Sequence, residues 1–256
     1  MEKKTAQVFF FMLRISFHAR PVLSLPMVPA TARIVTEVSQ RPVCYHKPER
    51  SPMSNTILWI ILGYLSGCIL YSQLACQLFQ VPDITKLSPD GNPGVFNAFQ
   101  NGGFAVGLFT LAGDLLKGAL PLFLWRMTTP GWKENTLLPL VMAAPVMGTL
   151  WPAFRHFSGG KGITVSFSVL LGLVPDWRPV LLLAACFLFF SLILVVDSHY
   201  YRTLVAFTAF PAGACLSGLP PMLTAGCLLL SLCVLTNLAL KHREAGILEV
   251  HLLWKH

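Results

Sequence analysis

The stretch Arg155–Thr164, RHFSGGKGIT, sets three glycines around one lysine between two long apolar runs. Glycine lets consecutive backbone N–H groups converge, and a helix starting there adds the positive end of its dipole. Lys161 supplies a full positive charge. Phosphate is the natural guest of such a nest, with Ser158, Gly159, Gly160 and Gly162 as candidate contacts. A nucleotide-binding P-loop is a different object. It needs G-x-x-x-x-G-K-[ST], whereas position 155 is Arg and Gly162 follows Lys161.

A second polar stretch, SPDGNPGVFN, has strong turn chemistry in Gly91, Asn92, Pro93 and Gly94. Asn92 and Asn97 can each donate and accept hydrogen bonds. Asp114 and Lys117 lie one helical turn apart inside an apolar run. Charges there are costly and are paired or functional, so the pair serves either the fold or a substrate. His242, beyond the final apolar run, is the candidate proton acceptor. No residue reads as a covalent nucleophile with a base beside it.

These residues need elements to hold them, and the composition says which. Hydrophobic residues make up 54% of the 256 and charged residues only 12%. A soluble domain carries about 25% charged residues, so the chain reads as an integral membrane protein. The net charge of +8 does not point to nucleic acid. Eight of the 19 Lys and Arg lie in residues 1–52 with three acids, leaving 11 basic and eight acidic residues beyond. Seven cysteines show no C-x-x-C and no zinc spacing, and six fall in apolar runs, as small buried hydrophobes do. No metal or cofactor is expected.

Residues 1–52 are Pro- and Arg-rich with only short apolar pieces, and read as an N-terminal extension. Met53 is the expected start of the membrane domain, 53–256. Seven apolar runs follow, at about 57–79, 103–125, 136–152, 162–175, 179–196, 203–219 and 222–240. Their continuity predicts helices, which satisfy their own backbone in lipid. The fourth is short. The expected fold is therefore all-α, with about seven transmembrane helices and Gly-rich loops between them. Alternating sides place Lys86, Arg155, Lys161, Arg202, Lys241, Arg243 and Lys255 together, against Arg126, Lys133 and Arg178. The excess of positive charge orients the first set to the cytoplasm. The stretches 88–103, 151–164 and 237–246 all fall on that side, so three distant segments are expected to converge on one pocket.

The ordered motifs Gly-Asn-Pro-Gly-x-x-Asn (91–97), Asp-x-x-Lys-Gly (114–118), Pro-x-Phe-x-x-Phe-x-Gly-Gly-Lys-Gly (152–162) and Lys-His-Arg-Glu (241–244) resemble the bacterial acyl-phosphate:glycerol-3-phosphate acyltransferases, the PlsY family. The resemblance covers about residues 57–248. It implies a seven-helix inner-membrane enzyme of phospholipid synthesis. The reaction would move an acyl group from acyl phosphate to the 1-hydroxyl of glycerol 3-phosphate, giving lysophosphatidic acid and phosphate without a metal. Lys161 and His242 would be catalytic; Gly91, Asn92, Gly94, Asn97, Ser158, Gly159, Gly160 and Gly162 would bind phosphate. The chain departs from the family pattern at five positions. Asp90 replaces a usual Ser, Phe96 a Thr, Gln100 an Arg, Thr149 a His and Ala245 an Asn. These departures leave a second expectation, a paralogue that is non-catalytic or takes another acceptor.

Overall fold

The structure, a computed structural model, describes residues 52–88, 91–196, 198–241 and 250–252. The N-terminal extension up to Ser51, together with Asp90, His242 and Ala245, lies outside the described residues.

Each of the seven apolar runs contains helix, and the fifth ends in a short strand. The first forms α1 (Pro52–Gly67) and α2 (Tyr71–Leu78), bent by 45° at the break between them. Two short helices follow, α3 (Ile84–Leu87) and α4 (Val95–Gly102). The later runs give α5 (Phe104–Thr128), α6 (Leu138–Leu150), α7 (Ile163–Leu171) and α8 (Arg178–Leu188), which continues as a π-turn over Phe189–Ile193. Helices α9 (His199–Leu216) and α10 (Pro221–Leu240) complete the set. Two three-residue strands, β1 (Leu194–Val196) and β2 (Val250–Leu252), pair antiparallel, a feature the periodicity did not predict.

The helices differ widely in length. Among the described residues, α5 and α10 are long and apolar enough to cross a bilayer by themselves, and α1 with α2 makes a third if counted as one. At 25 residues, α5 is about 37 Å long, more than the roughly 30 Å hydrocarbon core. At nine residues, α7 is only about 14 Å long. Glycine bounds it at both ends: Gly162 has φ +75°, and Gly172 is its C-cap.

Packing depends on small residues where helices cross. A Cβ on Gly67 would collide with the Pro145 carbonyl, and one on Gly148 with the Tyr64 carbonyl. The α1–α6 crossing therefore needs glycine on both sides, as close crossings in lipid do. The core gathers Trp125, Met142, Leu170, Phe207, Phe210 and Leu223 from five helices. The buried Trp125 indole is satisfied by donating to Thr56 Oγ1 at 3.2 Å.

The break between α1 and α2 leaves carbonyls without intrahelical donors, which is expensive away from water. Two side chains cover them. Thr149 Oγ1 donates to Gly67 O at 3.1 Å, and Lys117 Nζ donates to Ile69 O at 3.0 Å. This repair brings α1, α5 and α6 together beside the glycine loops.

Candidate functional site

A cavity of about 190 Å³ lies where the loop before α4 meets the loop before α7. Asn92, Gly94, Gly160, Lys161 and Gly162 all line it, so both glycine motifs face one space.

The first loop is held through its backbone. Ser72 Oγ donates to Pro93 O at 2.9 Å, and Asn97 Nδ2 donates to Asn92 O at 2.9 Å. Asn97 is thus a buried support for the turn and does not line the cavity. Gly91, with φ +60°, makes the turn from an exposed position. Gly94 is the N-cap of α4 and carries no side chain to bond the first N–H groups.

The second loop is held from below. Gly160 N–H donates to Thr149 O at 3.0 Å. Asn237 Nδ2 on α10 donates to Gly160 O at 3.3 Å, and Lys241 Nζ donates to Gly159 O at 2.8 Å. Gly159 is buried, and a Cβ there would collide with Thr149 O. Gly160 has ordinary contacts on its open side, where a built Cβ would stand 3.5 Å from Asn92 Oδ1. Its missing side chain is therefore cavity space. Gly162 again caps a helix N-terminus, that of α7, without a side-chain hydrogen bond. Ser158, expected as a phosphate contact, is exposed and does not line the cavity. The reversed turn at His156 and Phe157, both with positive φ, leads the chain past it.

Two helix N-termini, those of α4 and α7, thus open onto one cavity with no capping side chain over either. Each leaves N–H donors and a partial positive charge directed outward. Lys161 adds a full charge. Lys117, only 3% exposed, adds another, but its ammonium is held 2.8 Å from Asp114 Oδ1 and on the Ile69 carbonyl. The Asp114–Lys117 pair is internally neutral and lines the same cavity. Lys161 and the two dipoles bring positive charge to this cavity, an environment that suits an anion with several acceptor oxygens.

Three of the five departures from the family pattern can be placed. Phe96 is 64% exposed, lines the cavity and packs its ring 5.6 Å from that of His199. Gln100 is exposed and away from the lining. Thr149 lines the cavity while its hydroxyl serves the carbonyls of Gly67 and Pro145. The stretch 237–246 is expected to meet the glycine loops, with no role assigned to Asn237 or Lys241, which hold the loop by its carbonyls.

An apolar helical bundle with a basic, glycine-walled cavity at its loops is the architecture of an integral membrane protein. Comparison with known proteins narrows that class. The family model described as glycerol-3-phosphate acyltransferase matches residues 57–247, and the chain belongs to that family. The glycerol-3-phosphate acyltransferase of Shewanella baltica strain OS155 is 32% identical over 162 residues, covering 63% of this chain and 75% of the relative. Its counterpart in Klebsiella pneumoniae subsp. pneumoniae is 39% identical over 113 residues, covering 43% and 52%. The fold is similar to the crystal structure of PlsY, an integral membrane glycerol 3-phosphate acyltransferase, in its glycerol 3-phosphate form. That match has a TM-score of 0.60 at 22% identity and covers 74% of this chain and 88% of the other.

Proposed function

We propose that this protein transfers an acyl group from acyl phosphate to the 1-hydroxyl of glycerol 3-phosphate, releasing phosphate and lysophosphatidic acid. The observation that carries the reading is the convergence of Lys161 and two uncapped helix N-termini on one cavity. Both substrates are phosphate monoanions or dianions, and one product is phosphate. Such a cavity holds these groups without a metal.

The bond changes are simple. The acceptor hydroxyl oxygen bonds to the acyl carbon, and the bond from that carbon to the phosphate oxygen breaks. The hydroxyl proton passes to His242 or to the departing phosphate. Acyl phosphate is already activated, so the protein's work is to position two anions and stabilise developing charge. Lys161 faces the negative charge that grows on the leaving phosphate. Backbone N–H groups at Gly94 and Gly162 take phosphate oxygens, and Gly160 keeps the approach open. Asn92 contributes a polar edge, while Gly91, Asn97 and Gly159 hold the loops in shape. Supporting this assignment are the family membership and the solved glycerol 3-phosphate form of PlsY. In the membrane we place seven crossings, with the glycine loops on the cytoplasmic side, on the strength of the charge bias.

A second reading, a changed acceptor, is favoured by Phe96. An exposed aromatic ring stands at the cavity where the family pattern has a small hydroxyl, which suits a less polar acceptor. One assay separates the two. Membranes containing the protein are given palmitoyl phosphate and labelled glycerol 3-phosphate, with Lys161→Ala as control. Labelled lysophosphatidic acid that disappears in the variant supports the first reading. Absence of product from well-inserted protein that consumes acyl phosphate when offered other alcohols supports the second.

A further inference from the structure

A second cavity, of about 290 Å³, shares no lining residue with the first. One wall is α2, through Gln73, Cys76 and Gln77. The segment Val81–Asp83 and the side chain of Arg155 close the other. A single water needs only about 10–15 Å³ of such space, so the volume suits a ligand with many atoms.

The lining carries one charge of each sign, Arg155 and Asp83. Arg155 is half-buried, and among the described residues its guanidinium has no hydrogen-bond partner. The guanidinium carries five N–H donors, and the residue lines the cavity. Asp83 lines the same cavity. Its Oδ1 accepts from Thr85 N at 3.0 Å and from Thr85 Oγ1 at 2.8 Å, which fixes the carboxylate. Burial alone would raise this carboxyl, but the Thr85 hydrogen bonds and the charges of Lys86 and Arg155 outweigh it and hold it below its ordinary value. It is therefore charged at neutral pH. Gln73 and Gln77 add two amides that suit ester and phosphate oxygens.

The surroundings are apolar and exposed. Phe154 and Phe157, flanking Arg155, are 74% and 62% exposed. Leu74, Leu78 and Phe79 are exposed along and just beyond α2. In a membrane protein, such residues beside a polar recess match a molecule with a charged head and apolar tails.

We propose that this cavity seats a zwitterionic phospholipid headgroup of the phosphoethanolamine type, with Arg155 on the phosphate and Asp83 on the ammonium. Arginine pairs with phosphate oxygens in a bidentate manner, and the carboxylate discriminates an ammonium-bearing head from a glycerol or inositol one. The lipid would act as a bound neighbour of the glycine loop, because Arg155 lies only a few residues before Gly159. The inference concerns lipid binding and does not rest on acyl transfer.

The test is competitive lipid retention on the purified full chain, read by native mass spectrometry without turnover. The probes are dioctanoyl phosphatidylethanolamine, dioctanoyl phosphatidylglycerol and free O-phosphoethanolamine. The unsubstituted protein is expected to retain phosphatidylethanolamine roughly five- to tenfold better than phosphatidylglycerol. Arg155→Gln should lower retention of both lipids. Asp83→Asn should remove the preference while leaving phosphatidylglycerol retention unchanged; Asn keeps an acceptor for Thr85, so the turn survives. Equal retention of both lipids by the unsubstituted protein overturns the proposal, whatever the variants do. So does a preference that neither substitution alters. Free phosphoethanolamine bound as well as the lipid would overturn the lipid as occupant.

Discussion

Helix α7 treats its two ends in opposite ways. Its C-terminal carbonyls are met by a protein cation. Arg126 donates to Gly172 O at 2.6 Å and to Val174 O at 2.7 Å, and its guanidinium stacks 4.5 Å from the Trp132 ring centroid. Nearby, Arg178 binds Asp176 through two nitrogens, at 2.9 and 2.8 Å. Charge at that end is consumed by the fold. At the N-terminal end, Gly162 offers no side chain, and the first turn of α7 lines a cavity with Lys161. The same kind of residue, a cation near a helix end, therefore means structure in one place and, under the proposed function, binding in the other. What separates them is an empty volume and helix donors that no side chain caps.

That contrast predicts two losses of different kind. Lys161→Ala should lower acyl-transfer kcat/KM by about 10³-fold with normal membrane insertion, because the charge acts only when substrate charge develops. Arg126→Ala should do the reverse. It strands two carbonyls, so the folded state should lose about 2–4 kcal/mol, while kcat per folded molecule stays within roughly twofold. The first is read by steady-state assay, the second by thermal unfolding in detergent. Equal activity losses in the two variants would erase the proposed difference between the ends.

The next effect is smaller and belongs to the hinge of the site. Gly162 has φ +75°, where a side chain costs about 1–2 kcal/mol, and a built Cβ stands 2.8 Å from Leu150 Cδ2. Gly162→Ala should therefore lower activity roughly tenfold and stability slightly, by displacing Lys161 and the start of α7. Lys241→Ala should follow with a fall of about fivefold, mostly in kcat, since Lys241 positions Gly159 and is not itself in the lining. Lys241→Arg, which can still donate to that carbonyl, should restore most of it. A Lys241→Ala enzyme with raised KM and unchanged kcat would argue for direct substrate contact instead.

Much of this was legible in the chain. Each of the seven apolar runs formed helix over most of its length, because continuous apolar sequence in lipid has few other ways to satisfy its backbone. The two glycine motifs met as expected, and Gly94 and Gly162 fell at helix starts. The length of α7 was already suspect from its short run. Three things were not legible. The break at Cys68–Leu70 lies within an unbroken apolar run, and it is stabilised by Thr149 and Lys117 from distant helices. The grip of Asn237 and Lys241 on the glycine carbonyls spans about 80 residues of chain. Ser158 adjoins the glycines in sequence, yet the positive-φ turn at His156 and Phe157 leaves it in the open. Adjacency along the chain fixes residue type, whereas the direction of a side chain in a tight turn depends on backbone angles that composition does not reveal.

The smallest expected effect tests the quiet end of α7. Hydrogen bonds from Arg178 are the leading cause that holds the Asp176 carboxyl below its ordinary value, with the charges of Arg178 and Lys133 adding to them and burial opposing. A carboxyl depressed in the folded state adds stability that is fully present above its unfolded value, about 4. That contribution is lost as pH falls through the lower, folded value. Asp176→Asn should thus lower the unfolding temperature slightly at pH 7, by about 1–2 °C, and the gap between variant and parent should close as pH drops toward 3. Acyl transfer should not change. A gap independent of pH would show that Asp176 acts as a packed polar group, and the picture of charge neutralised within the fold at this end would then rest on Arg126 alone.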